Sequence, residues 1–96
     1  MPLYVRLVKF TAKGAERIQS VDAVFKELRG ILEANGGKVL NIYSTLGRYD
    51  LVAVVEAPDD ATMMKASALI AAKGYITAET LPAVPLAEFA DAVKRG

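Results

Sequence analysis

Apolar positions along the chain change period five times, and each change marks an element. From Leu3 to Phe10 they alternate, with Leu3, Val5 and Leu7 on one side and Tyr4, Arg6, Val8 and Phe10 on the other, which predicts a strand. After Thr11-Ala12-Lys13-Gly14 the period becomes helical. Ile18, Val21, Phe25, Leu28 and Leu32 recur every three or four residues, with Ser20 a candidate N-cap and Gly14–Gln19 a possible separate turn. Asn35-Gly36-Gly37 supplies the left-handed residues that stop a helix. Lys38–Thr45 and Leu51–Ala57 read as two further strands, close enough for a hairpin across Leu46–Asp50, and Pro58 ends the second. Asp59 or Asp60 then caps a helix rich in Ala and Met that runs to about Lys73 and closes at Gly74. Tyr75–Leu81 is a fourth strand. Pro82 and Pro85 break the chain before a short final helix with Leu86, Phe89, Ala90 and Val93 on one face.

The order β-α-β-β-α-β with a terminal helix is a ferredoxin-like α+β pattern in one domain spanning residues 1–96. Right-handed crossovers put both main helices on one face of a four-stranded antiparallel sheet of order 4-1-3-2. Leu3, Val5, Leu7, Leu40, Ile42, Ile76 and Ala78 are expected on the helix-covered face. Tyr4, Arg6, Val8, Asn41, Tyr43, Thr45, Thr77 and Glu79 are expected on the other. With no main helix left to cover it, that second face is expected to pack on another copy of the chain. Arg6 and Glu79, on neighbouring strands, are then a candidate cross-strand ion pair, either structural or an anchor for a ligand.

Composition adds to this picture. Apolar residues make up 53% of a 96-residue chain whose core is necessarily modest, which again favours self-association. Twelve basic and eleven acidic residues are mixed along the sequence, so there is no basic stripe for nucleic acid and no polybasic membrane anchor. The first residues, Met1-Pro2-Leu3-Tyr4, do not read as a signal peptide, and a cytoplasmic location is expected. The sequence contains neither Cys nor His, which removes the usual nucleophilic thiol, general base and soft metal ligands. No metal and no cofactor are expected. Asp59-Asp60 reads as a helix cap rather than a metal site.

Tyr43-Ser44-Thr45-Leu46-Gly47-Arg48-Tyr49-Asp50-Leu51-Val52 resembles the signature of the GYD-domain family of small prokaryotic proteins. Tyr4-Val5, Phe10-Thr11 with Gly14, Gly36-Gly37-Lys38-Val39, Glu56-Ala57-Pro58-Asp59-Asp60 and Thr77-Ala78-Glu79-Thr80-Leu81 extend the resemblance over nearly the whole chain, least so beyond Pro82. It implies a ferredoxin-like domain arranged as a dimeric α+β barrel, and it implies no particular activity.

Read physically, Gly47 permits a tight turn, Asp50 can accept from turn amides and Tyr49 offers an interfacial ring. Arg48 could instead hold an anion at the mouth of a pocket, with Asp50 orienting a polar group. The leading expectation is a homo-oligomeric module that binds a small molecule or regulates. Its expected pocket is lined by Arg6, Tyr43, Arg48, Tyr49, Asp50 and Glu79 near the sheet face and the Gly47–Asp50 loop. Two alternatives stand beside it: a cofactor-independent enzyme of the dimeric α+β barrel type, and a purely structural or assembly protein. Catalytic residues are not identifiable, and the missing His weighs against an enzyme.

Overall fold

The computed structural model describes residues 1–96. Strand β1 spans Leu3–Phe10, and a short helix α1, Ala12–Glu16, follows after Thr11. A single 3-10 turn at Ile18–Ser20 leads into α2, Val21–Ala34. Strands β2 (Lys38–Ser44) and β3 (Leu51–Glu56) form the hairpin. Helix α3 (Asp60–Ala72), strand β4 (Ile76–Ala83) and helix α4 (Leu86–Lys94) complete the chain. The sheet is antiparallel with the order β2-β3-β1-β4, and the main helices lie on one side of it. This is the ferredoxin-like α+β arrangement the pattern predicts. No helix is long and apolar enough to cross a membrane.

Local signals explain most boundaries. The Asp59 carboxylate accepts from the Thr62 amide at 2.8 Å and caps α3, and hydrogen bonding from the Thr62 side chain, then from this amide, holds its pKa below the ordinary carboxylate value. Ser20 occupies the N-cap position of α2 without making a side-chain cap bond. The turn expected before α2 is real. Thr11 caps α1 by accepting from the Gly14 amide at 3.1 Å. Pro82 does not end the last strand, which continues to Ala83. Strand β4 is an edge, where a proline whose missing N–H faces outward removes no ladder bond.

The two faces of β1 are the reverse of the expectation. Tyr4, Arg6 and Val8 are buried beneath the helices, and Leu3, Val5 and Leu7 lie on the open face. The register propagates this. Arg6 stands opposite Ala53 and Thr80, and Tyr4 opposite Val55 and Pro82, so Ala53, Val55 and Ala57 are buried with them. An irregularity between Val39 and Asn41 places Val39 and Ile42, rather than Leu40 and Ile42, opposite Val55 and Ala53. Strand β4 keeps its expected sides, with Ile76 and Ala78 inward and Thr77 and Glu79 outward.

The core divides in two. Tyr4, Leu32, Ala53, Val55, Ala57, Met63 and Ala66 form one cluster. Val8, Val24, Leu28, Leu51, Ile70 and Ile76 form the other. Ala66 is fully buried, and its small side chain lets α3 lie close on the sheet. The opposite sheet face has no cover within the chain. It carries Leu3, Val5, Leu7, Val52 and Val54, all half-buried, together with the exposed Leu81 and Tyr43. Helix α4 also stands off the body, with Leu86, Phe89 and Val93 exposed. The radius of gyration is accordingly 14.4 Å, against about 12.5 Å for a compact chain of this length.

Candidate functional site

The expected site residues fall into two compartments, one on each side of the sheet. On the open face, the β2–β3 loop folds back over β1 and β4. Asp50 holds it there: its carboxylate accepts from the Phe10 amide at 2.8 Å, and its own amide donates to the Val8 carbonyl at 2.8 Å. Asp50 thus extends the sheet's bonding where the β1–β3 ladder ends, and both groups are committed to structure. The Tyr49 hydroxyl donates to Glu79 at 2.8 Å, and Lys9 sits 5.9 Å from the Tyr49 ring centre. With Arg48, Thr77 and Leu7 these groups line an open depression of about 440 Å³. The bond to Glu79 raises the Tyr49 pKa above its ordinary value, burial and the carboxylate's charge add to it, and Arg48 opposes it. Tyr43 shares this face but not the depression. It lies in one row with Val52, Leu7 and Glu79, three strand spacings or about 14 Å from Glu79.

Arg6 belongs to the other compartment, so the expected Arg6–Glu79 pair does not form. Arg6 faces Thr80, the residue after Glu79, and strand alternation sends the two side chains to opposite faces. It is 6% exposed. Its Nη1 donates to Ser67 Oγ at 2.6 Å and to Thr80 Oγ1 at 2.8 Å. Burial lowers its pKa, yet an arginine stays charged at neutral pH. No carboxylate pairs with it, because the one ion pair in the chain joins Lys73 and Glu27 at the surface. Beside it lies a cavity of about 60 Å³ between the two core clusters, walled by both. Nothing in the local pattern pointed to Ser67, Thr80 or Arg29 at this place. The β1–β4 register brings Thr80 there, the docking of α3 brings Ser67 and the docking of α2 brings Arg29.

A third polar contact ties the central strand β1 to α3. The Tyr4 hydroxyl donates to Asp60, in the first turn of α3, at 2.6 Å. That bond, followed by burial, pushes the Tyr4 pKa from 10.0 up to about 12. A pKa raised on folding stabilises the fold fully below the unfolded value, and the contribution is lost as pH rises through the folded one. Stability is therefore expected to fall between pH 10.0 and about 12. In Tyr4→Phe this alkaline loss is expected to be smaller, which urea denaturation across that range would measure. Equal losses in the two proteins would contradict the assignment.

With this geometry in view, comparison with known proteins is informative. A curated protein of Thermus thermophilus, named glutamine synthetase and cystathionine beta-lyase binding protein, is 38% identical over 89 residues, covering 92% of this chain and 94% of the relative. No solved structure matches the chain. The GYD domain family matches residues 4–93, from the buried Tyr4 to the exposed helix α4, and the chain belongs to that family.

Proposed function

We propose that this chain is a regulatory binding module, paired with itself through the open sheet face, that engages metabolic enzymes as protein partners. The observation that carries the reading is the amount of apolar surface the fold leaves uncovered. Val5, Leu7, Val52, Val54 and Leu81 share one sheet face, and Leu86, Phe89 and Val93 line α4. A domain of this size has no reason to leave two such surfaces in water unless other chains cover them. The relative's name supports protein partners and suggests which to try first.

A second copy laid on the open face would also roof the depression at Arg48, Tyr49 and Glu79. An open groove would then become an enclosed polar site at the interface, and the Gly47–Asp50 loop takes its place in ligand binding on that basis.

The partner claim is tested with fluorescently labelled protein and purified glutamine synthetase and cystathionine beta-lyase from the same organism. In sedimentation velocity at micromolar concentration, the label is expected to move with at least one of the enzymes. Sedimentation at its own rate in the presence of each of the two enzymes would overturn that part of the reading and leave self-association to be judged separately.

A further inference from the structure

We infer that the Arg6 cavity is a binding site for a small aliphatic carboxylate, of about the size of propionate or butyrate. The inference goes beyond the binding-module reading and does not depend on it.

A guanidinium carries five N–H groups. The bonds to Ser67 and Thr80 both come from Nη1, so those on Nε and Nη2 have no partner in the protein. Yet no buried polar side-chain atom is stranded. The remaining donors therefore keep access to open space, and Arg6 is one of the residues that line the cavity between the two core clusters. Ser67 and Thr80 are neutral hydroxyls and leave the charge itself uncompensated. A buried charge without a counter-ion is costly, and a well-packed apolar side chain in its place would usually be as stable or more so. Nothing in the fold requires a cation at this position, and an anionic ligand would give it a purpose.

The walls indicate what kind of anion. Eleven of the thirteen lining residues are hydrophobic, Leu28, Leu32, Ile42, Met63 and Ile70 among them, and the other two are both arginines. Arg6 is the buried one. Arg29 stands on the exposed side of α2 and adds a second positive charge where the cavity reaches solvent. A planar carboxylate matches the free edge of a guanidinium, and a short hydrocarbon tail matches the remaining walls. A volume of 60 Å³ admits roughly four to six heavy atoms, on the scale in which one water needs roughly 10–15 Å³, a range that takes in both propionate and butyrate. Phosphate would suit the charges but would desolvate against the apolar walls.

The test is thermal unfolding of the full chain with sodium butyrate, sodium phosphate, sodium chloride of matched ionic strength, and butan-1-ol. Butyrate at about ten times its dissociation constant is expected to raise Tm by about 5–10 °C. Chloride and butanol are expected to leave it unchanged. In Arg6→Met the unliganded protein should unfold at the same temperature or higher, and the butyrate response should vanish. Should that variant fail to fold, NMR of the natural chain answers the same question, because the Arg6 Nε–H resonance must move as butyrate is added. An unchanged Tm and an unmoved resonance would overturn the site. A butyrate response retained in Arg6→Met would place binding elsewhere, and a response to phosphate but not butyrate would overturn the carboxylate class.

Discussion

Gly14→Ala is expected to destabilise the protein by about 3 kcal/mol or more, lowering Tm by roughly 10–20 °C. A methyl group at Gly14 would run into the Tyr75 carbonyl oxygen, far inside contact distance and against backbone. The surroundings cannot yield easily. The Thr11 amide donates to the same carbonyl at 3.0 Å, and the Thr11 hydroxyl donates to the Gly74 carbonyl at 2.5 Å. Helix α1 is thus fastened to the α3–β4 turn at the point where the methyl would enter. Gly30 is the internal control. It sits exposed within α2 with nothing within 4 Å of an added methyl. Gly30→Ala is expected to stabilise by about 0.5–1 kcal/mol through helix propensity. Opposite signs for one substitution at two helical glycines would establish close approach as the cause. A Gly14→Ala protein that melts within a few degrees of the natural chain would contradict the packing described.

The other large effect is expected on the open sheet face. Val54 stands at its centre, beside Val5 on one strand and Asn41 on the other. In a free monomer a lysine there would be a surface residue, so Val54→Lys should keep its secondary structure by circular dichroism. In a face-to-face dimer the same lysine would be buried without a partner, and association is expected to weaken at least about a hundredfold, or roughly 3 kcal/mol. Met64→Lys, on an exposed position of α3 that is not part of the sheet face, should leave association unchanged.

How much of this was legible in the sequence varies from residue to residue. The element order was, because Gly36, Pro58, Asp59 and Gly74 punctuate the chain with residues whose backbone or capping preferences are strong. So were the sides of β4. The sides of β1 were not. Leu3, Val5 and Leu7 form a more apolar stripe than Tyr4, Arg6 and Val8, and hydrophobicity alone awards the core to the first. The fold does the reverse because both faces of the sheet are apolar and the helices cover only one of them. A clue lay in β3, where Glu56 marks the open face and pairs with Leu3. Burial of Arg6 could not be read locally at all. It depends on Ser67 and Thr80, which are 61 and 74 residues away in sequence. On the loop, Asp50 looked like a turn or ligand residue, and its partner proved to be the amide of Phe10 on another strand.

The most direct test of the central claim, that the open sheet face is covered by a second copy, is sedimentation equilibrium of the natural chain and Val54→Lys side by side. The claim requires the natural chain to sediment at a multiple of its 10.3 kDa mass, twice that mass for a simple dimer, and Val54→Lys to sediment as a folded monomer at the same concentration. A natural chain that is monomeric at 100 µM, or an oligomer that Val54→Lys leaves intact, would contradict it.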